Sequence, residues 1–178
     1  MNKPKLLVLD VDGVLSRDKF YDSSGQAIGK SFIDIDWTAI KSFKALGIPT
    51  VFLTGDPFNS AIAAERHITC YHSREPNGLM DKKAGLIEIM RDQGLDNKLD
   101  IIYVGDDLFD LPVLQEVGYP ICPSNANLYV QKHCNVLTRK GGDGVVDELL
   151  TLFVDRGYFE YPDIEDVLAL DAEEYKND

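Results

Sequence analysis

The sequence predicts a three-layer α/β fold, in which helices cover both faces of a parallel sheet. Short apolar runs without polar interruption, such as Leu6–Leu9 and Ile101–Val104, are typical of strands that are buried on both faces. Segments with apolar residues at helical spacing, such as 37–46 and 81–93, alternate with these runs along the chain. Strands that alternate with helices build parallel sheets with helices on either side.

The remaining elements follow the same alternation, with one exception near the start. Residues 16–36 contain two mixed apolar segments around Ser23-Ser24-Gly25, which predicts a β-hairpin flap after the first strand. Gly47 is placed to end the first predicted helix, and Pro57 suits the first turn of the second. Further strands are predicted at 48–53, 68–71, 119–122 and 135–137, and further helices at 57–66, 108–117, near 127 and at 145–154.

Polar residues come directly after three of the predicted strands. Asp10 and Asp12 follow the first strand, Thr54 follows the second, and Asp106 and Asp107 follow the fourth. The carboxyl ends of parallel strands lie at one edge of the sheet, where such folds bind ligands. Buried carboxylates need a cation or hydrogen bonds to offset the loss of water. These acids therefore predict a metal site that leaves one carboxylate free for chemistry.

Length and composition exclude several classes of function. The chain of 178 residues fits one domain, and its formal charge of −12 disfavours binding to nucleic acid. No apolar run approaches the length of a membrane span and no signal peptide is apparent, which predicts a cytoplasmic protein without membrane contact. The scattered cysteines Cys70, Cys122 and Cys134 indicate reduced thiols rather than a disulfide framework or a zinc site.

Phosphoryl transfer requires a nucleophile, a proton donor, a cation and donors for the phosphate oxygens. The chain offers these as carboxylates, a threonine hydroxyl and the amines of Lys82 and Lys83. This ordered set resembles the haloacid dehalogenase superfamily, whose four motifs match Asp10-Val11-Asp12-Gly13-Val14, Leu53-Thr54-Gly55, Lys83 and Gly105-Asp106-Asp107-Leu108-Phe109-Asp110. Lys83 is favoured as the motif lysine by its spacing to Gly105, with Lys82 as the alternative.

Within the superfamily, the chain is most similar to a small branch without a cap domain. That branch includes 3-deoxy-D-manno-octulosonate 8-phosphate phosphatase and the related nononate 9-phosphate phosphatase. The segments that carry the similarity are 12–15, 103–108 and 141–145. The resemblance implies a Rossmann-like phosphatase domain at 1–157, with the flap at about 16–36, followed by an acidic tail at 158–178.

The resemblance also implies a role for each matching residue. Asp10 would attack phosphorus, and Asp12 would protonate the leaving alcohol and then activate the hydrolytic water. Magnesium would be bound by Asp10, the main-chain carbonyl of Asp12 and Asp106. Thr54 and Lys83 would hold the phosphoryl oxygens.

The resemblance further implies a set of residues around the substrate. Gly55 and Asp56 would line the substrate site, and Arg139 would reach a bound anion in a neighbouring subunit. Asp107 would either bind the metal through water or support Asp106. Because the chain is too short to carry its own lid, the resemblance implies a homotetramer whose flaps cover neighbouring sites.

The chain departs from the family's pattern where the sugar is expected to bind. The departures are Asp56, Ala63-Ala64, Ile33 and Ile35, a longer loop at 72–80, and Asp147 after the glycine loop. We therefore expect a phosphorylated sugar acid, such as an ulosonate phosphate, or a related sugar phosphate as the substrate. The alternatives are a phosphatase of an unrelated small phosphomonoester and a non-catalytic oligomerisation module of a sugar-nucleotide pathway. A phosphoacceptor signalling domain is disfavoured by the order of the motifs, and a phosphomutase by the absence of a segment long enough for a cap.

Overall fold

The computed structural model describes residues 3–74 and 76–176. Six strands form a parallel sheet in the order β5-β4-β1-β6-β7-β8, and β2 and β3 form a separate antiparallel hairpin. The strands are β1 Leu6–Leu9, β2 Lys19–Tyr21, β3 Ala27–Lys30, β4 Thr50–Thr54, β5 Thr69–His72, β6 Ile101–Val104, β7 Tyr119–Cys122 and β8 Asn135–Val136. The helices are α1 Asp34–Ala45, α2 Asn59–Glu65, α3 Lys82–Asp92, α4 Leu111–Leu114, α5 Val145–Asp155 and α6 Ile164–Glu174. The predicted fold class is confirmed.

The first strand lies at the centre of the sheet, between β4 and β6. Leu9 pairs with Phe52 of β4 on one side and with Val104 of β6 on the other. All four residues of β1 are buried, as its uninterrupted apolar sequence predicts. The segments that follow β1, β4 and β6 therefore leave the sheet side by side, and this brings the predicted site residues together.

Alternate residues of β1 enter two separate hydrophobic cores. Leu7 and Leu9 pack with residues of α1 and α5, such as Phe43 and Phe153. Leu6 and Val8 lie in the opposite core, which includes residues of α3 and α4. This is the period of two that strand geometry imposes on side-chain direction.

The two helices predicted after β6 and after β7 are shorter than the sequence pattern indicates. The helical turn α4 covers four residues instead of 108–117, because the preceding backbone bends around the buried side chain of Asp110. Near 127 the chain forms a 3₁₀ turn at Val130–His133. Both segments still bury apolar residues in the core beside α3.

The acidic tail contains a helix that packs against α1. Lys41 of α1 forms ion pairs with Asp171 and Glu174 of α6, at 2.6 and 2.7 Å, and Arg66 lies 3.1 Å from Glu174. Residues 177 and 178 of the predicted tail lie outside the described residues, and the division at 157 stays a prediction. None of the helices in the described ranges is both long and apolar enough to cross a membrane.

Candidate active site

A cavity of about 660 Å³ opens at the carboxyl ends of β1, β4 and β6. Its walls include seven of the predicted site residues, namely Asp10, Asp12, Thr54, Gly55, Asp56, Asp106 and Asp107. The other lining residues are Gly13, Lys19, Pro57, Arg74, Met80, Lys82, Phe109 and Asp110. The cavity therefore lies at the predicted strand ends, whereas Lys83 and Arg139 are not among its lining residues.

The lysine beside Asp10 is Lys82, which corrects the placement expected for Lys83. Lys82 Nζ lies 3.0 Å from Asp10 Oδ1, and its side chain is 4% exposed. Lys83 has a half-exposed side chain that pairs with Glu116 on the surface. The carboxylate of Asp81 accepts a hydrogen bond from the backbone N–H of Ala84 and so caps α3. That start directs residue 82 toward the sheet, and residue 83 lies a further 100° or so around the helix.

Asp110 is a buried carboxylate that organises the site rather than an open ligand. Its Oδ1 accepts hydrogen bonds from Lys82 Nζ at 2.6 Å and from the hydroxyl of Tyr103 at 2.5 Å. Its Oδ2 accepts from the backbone N–H groups of Asp106 and Asp107, each at 3.0 Å. Four donors thus occupy both oxygens, so that Asp110 fixes Lys82 and the loop that carries Asp106.

The carboxylates of Asp10, Asp106 and Asp110 form a cluster that could hold a metal ion. One oxygen from each lies within 4.8 Å of the others. Because donors occupy Asp110, the carboxylates that fit a cation are those of Asp10 and Asp106. Gly13 leaves room for the second of these, since a β-carbon at position 13 would lie 2.1 Å from Asp106 Oδ2. Oxygen ligands of this kind suit a hard divalent cation such as Mg²⁺.

The electrostatics of the cluster agree with a cation site. Burial raises the pKa of Asp10 to about 7, although Lys82 opposes the shift. Burial, followed by repulsion from Asp10, raises the pKa of Asp106 to about 8. Burial disfavours the charge on Lys82, but Asp10 and Asp110 outweigh it and raise the lysine's pKa. Crowded acids of this kind are stabilised in their ionised form by a bound divalent cation.

Asp12 lines the same cavity, and both of its oxygens are held by neighbouring side chains. Lys30 Nζ lies 2.6 Å from Asp12 Oδ1, and Asn59 Nδ2 donates to Asp12 Oδ2 at 3.0 Å. The same amide nitrogen lies 2.8 Å from Thr54 Oγ1. Neither Lys30 nor Asn59 belongs to a motif that predicts a site residue. Each comes from an element whose position over the strand ends depends on tertiary packing, and no local pattern marks either residue.

Asp56 and Gly55 shape the outer wall of the cavity. Asp56 pairs with Lys19 and with Lys30, so that both strands of the hairpin are tied to this one carboxylate. Gly55 packs under the side chain of Met80, since a β-carbon at position 55 would lie 2.2 Å from Met80 Cε. Lys19 of the flap, together with Arg74 and Met80, therefore contributes to the cavity wall beside Gly55 and Asp56.

The remaining predicted substrate residue, Arg139, is engaged elsewhere in its own chain. Its guanidinium lies 3.0 Å from Asp147 Oδ2 and donates to the carbonyl of Gly144 at 3.1 Å. The expected contact with a neighbouring subunit's substrate stays a prediction.

Asp107 lines the cavity, and its Oδ1 accepts a hydrogen bond from the backbone N–H of Leu108 at 2.7 Å.

Comparisons with known proteins find relatives whose family is known. A family model described as haloacid dehalogenase-like hydrolase matches residues 76–149. The chain is 30% identical over 149 residues to the 3-deoxy-D-manno-octulosonate 8-phosphate phosphatase of Haemophilus influenzae, covering 82% of this chain and 79% of that protein.

Solved structures show the same relationship. A crystal structure of the phosphatase of that name from Moraxella catarrhalis, in complex with a magnesium ion, a phosphate ion and a KDO molecule, is 29% identical, with a TM-score of 0.74 and coverage of 86% of this chain and 87% of that one. A probable YrbI family phosphatase from Pseudomonas syringae is 30% identical, with a TM-score of 0.77 and coverage of 89% and 90%. The chain therefore belongs to the haloacid dehalogenase-like hydrolases, within the 3-deoxy-D-manno-octulosonate 8-phosphate phosphatase family, and it is a phosphatase of that type.

Proposed function

We propose that this chain is a magnesium-dependent phosphatase that hydrolyses a phosphorylated sugar acid through an aspartyl-phosphate intermediate on Asp10. The observation that carries the proposal is the contact of 3.0 Å between Asp10 and the buried Lys82, in the cavity that Asp12 and Asp106 also line. This arrangement combines a carboxylate nucleophile, a fixed positive charge for phosphate oxygens and a second acid within one cavity.

In the first step, a carboxylate oxygen of Asp10 attacks phosphorus while the bond to the leaving oxygen breaks. Asp12 donates its proton to that oxygen, so that the sugar leaves as a neutral alcohol. Lys82 and the hydroxyl of Thr54 hold the oxygens of the transferring group. When bound by Asp10 and Asp106, with the main-chain carbonyl of Asp12, magnesium would supply positive charge for the phosphoryl group.

In the second step, water attacks phosphorus of the aspartyl phosphate and loses a proton to Asp12. The bond between phosphorus and Asp10 breaks, and inorganic phosphate is released. Asp12 regains the proton that it gave to the sugar, and Asp10 is again a carboxylate. Two easier steps thereby replace one difficult displacement, which suits phosphate monoesters because they hydrolyse extremely slowly without catalysis.

The charges on the outer wall support a substrate whose leaving group is itself an anion. Lys19 lines the cavity and pairs with Asp56, whereas Arg74 has no carboxylate within 4.0 Å among the residues of the described ranges. Its guanidinium donates to the carbonyl of Gly78 at 2.7 Å and lines the cavity. Arginine pairs well with carboxylates, so a sugar acid suits this wall better than a neutral sugar.

We further propose that the active form is a homotetramer. The side chains of Phe20 and Tyr21, which the hairpin carries, are 52% and 59% exposed in the single chain. Exposed apolar residues at the tip of a flap are typical of a surface that another subunit covers. The predicted cytoplasmic location remains an expectation.

A substrate panel tests the proposed function. Phosphorylated sugar acids, neutral sugar phosphates and small phosphate esters would be assayed for phosphate release, with magnesium and after exhaustive chelation. We expect metal-dependent turnover, fastest with a sugar acid, and its loss in Asp10→Asn, because an amide is a poor nucleophile. Circular dichroism would show that this variant is folded.

The same panel separates the alternatives. Preference for an ester without a sugar would support a phosphatase of an unrelated phosphomonoester. Release of no phosphate from any ester would favour the non-catalytic oligomerisation module. Full activity of a folded Asp10→Asn protein would contradict covalent catalysis at that residue.

A further inference from the structure

Lys30, in the flap, makes contacts that the phosphatase motifs do not account for. Its side chain is fully buried, which is rare for lysine. The ammonium lies 2.6 Å from Asp12 Oδ1, 2.9 Å from Asp56 Oδ2 and 2.6 Å from Asn59 Oδ1. An ammonium has three N–H donors, and here each of them has one acceptor. The side chain is therefore held in a single geometry.

These contacts orient Asp12 from two elements at once. Lys30 reaches Asp12 Oδ1 from β3, and Asn59 donates to Asp12 Oδ2 from α2. The same Asn59 accepts from Lys30, so the three side chains form a closed set of hydrogen bonds and ion pairs. A carboxyl group with both oxygens held in this way has little freedom to rotate.

We propose that Lys30 is a positioning residue that fixes the carboxyl group of Asp12 for proton transfer to and from the substrate. The inference rests on the proposed function, in which Asp12 is the proton donor. Lys30 acts through Asp12, and its ammonium is enclosed by its three acceptors rather than open to the cavity. The flap therefore supplies, within the same chain, the residue that aligns the acid.

A second lysine of the flap provides a matched control. Lys19, on β2, lines the cavity and, like Lys30, pairs with Asp56, but it forms no ion pair with Asp12. If flap lysines served only to hold the hairpin against Asp56, the loss of either would have the same kind of effect. A role for Lys30 in positioning Asp12 predicts that the two variants differ in the chemistry they impair.

The leaving group of the substrate reveals that difference. An aryl ester such as p-nitrophenyl phosphate releases a stable phenolate and needs little protonation. An alkyl phosphate releases a strongly basic alkoxide, so its first step depends on a well-placed proton donor. The value of kcat/KM reports the steps up to the first irreversible one, which includes formation of the aspartyl phosphate. The ratio of kcat/KM for the two esters therefore measures proton donation.

The experiment compares wild type, Lys30→Met and Lys19→Met with both esters in saturating magnesium. We expect Lys30→Met to lose about 10- to 100-fold more kcat/KM with the alkyl ester than with the aryl ester, which is part of the contribution of a general acid. Lys19→Met should keep the wild-type ratio. Lys30→Gln serves as the second variant in case the methionine protein does not fold, since its amide can still donate one hydrogen bond, and we expect a smaller shift in the same direction.

Equal losses with the two esters in both Lys30 variants would overturn the inference while leaving the proposed function in place. The same selective loss in Lys19→Met would also overturn it, because that residue forms no ion pair with Asp12. Failure of the wild type to hydrolyse either ester would instead contradict the proposed function itself.

Discussion

The α-carbon of Gly13 packs directly against the carboxylate of Asp106. A β-carbon at position 13 would lie 2.1 Å from Asp106 Oδ2 and 2.5 Å from its Cγ. The backbone of Gly13 is also left-handed, with φ of +82°. This glycine therefore both turns the chain after β1 and leaves the space in which a proposed metal ligand lies.

We expect Gly13→Ala to weaken magnesium binding by about 10- to 100-fold, the range found when groups that orient metal ligands are altered. The added methyl group would displace the Asp106 carboxylate. Gly25→Ala is the matched control, because Gly25 has φ of +83° but, its two chain neighbours apart, no atom of the described residues lies within 4 Å of the position of its β-carbon. Titration of activity with magnesium measures the effect. Equal weakening in both variants would assign it to backbone strain rather than to the clash.

The two adjacent lysines give a second prediction. Lys82→Met should lower kcat/KM by at least about 100-fold, because it removes a fixed charge from the phosphoryl site. Lys83→Met should remain near wild type, since that side chain pairs with Glu116 on the surface. Phosphate release is the measurement, with thermal denaturation to report folding. Comparable losses in the two variants would contradict the assignment to Lys82.

The sheet and the location of the site could be predicted because both follow from local pattern. The uninterrupted apolar runs predicted the bounds of β1 and β6 to within one residue. The acids that follow these two strands were expected at one edge of the sheet, because the carboxyl ends of parallel strands lie there. Lys83 was expected beside Asp10, whereas the structure has Lys82 there. On a helix, two adjacent residues point in directions about 100° apart, so that one can be buried while the other is exposed. The cap that sets these directions, Asp81, is a single side chain whose hydrogen bond appears only in the folded chain.

The contacts that Lys30 and Asn59 make with Asp12 could not be predicted from the sequence, for a different reason. Lys30 and Asn59 reach Asp12 from segments 18 or more residues away in sequence, and the direction of a short hairpin depends on what it packs against. The tail shows the same limit. Its helix is held by Lys41 and Arg66, whose partners lie more than 100 positions away in the sequence. No local pattern around either residue predicts such a distant partner.

A buried acid outside the active site predicts how stability varies with pH. Asp36 of α1 accepts hydrogen bonds from the N–H groups of Val146 and Asp147, at 2.7 and 3.3 Å, at the start of α5. Burial is the largest influence and raises the pKa of Asp36 to about 6, although these hydrogen bonds oppose it. The native state therefore retains a proton that the unfolded chain, with the ordinary pKa of 3.8, has released.

Because the folded chain binds more protons in this window, the contribution of Asp36 to stability falls as pH rises from about 4 to 6. We expect the free energy of unfolding of wild type, relative to Asp36→Asn, to decrease by roughly 2 kcal/mol over that range. Urea denaturation of both proteins at several pH values checks this. The comparison cancels the titration of other acids, and a constant difference would contradict the shifted pKa of Asp36.

Arg74 gives a prediction about substrate preference. We expect Arg74→Met to raise KM about 10-fold or more for a sugar acid phosphate and to change it little for a neutral sugar phosphate, because hydrogen bonds between charged groups contribute about 1.5 to 3 kcal/mol. Arg91→Met, which alters a surface arginine paired with Asp92, is the control. Steady-state kinetics with both substrates provide the measurement. An equal rise in KM for the two substrates would show that Arg74 does not bind the carboxylate of the sugar acid.

The exposed tip of the flap gives the last prediction, which concerns assembly. We expect Phe20→Glu combined with Tyr21→Lys to break the proposed tetramer, because a charged surface cannot be buried between subunits without a partner. Ile87→Glu is the control, since Ile87 is 60% exposed on α3, away from the flap. Light scattering measures the mass. Without neighbouring flaps as walls, activity on a bulky sugar acid phosphate should fall more than activity on a small synthetic ester, since only the larger substrate needs those walls. A wild-type monomer that is equally competent on both substrates would contradict this account of the flap.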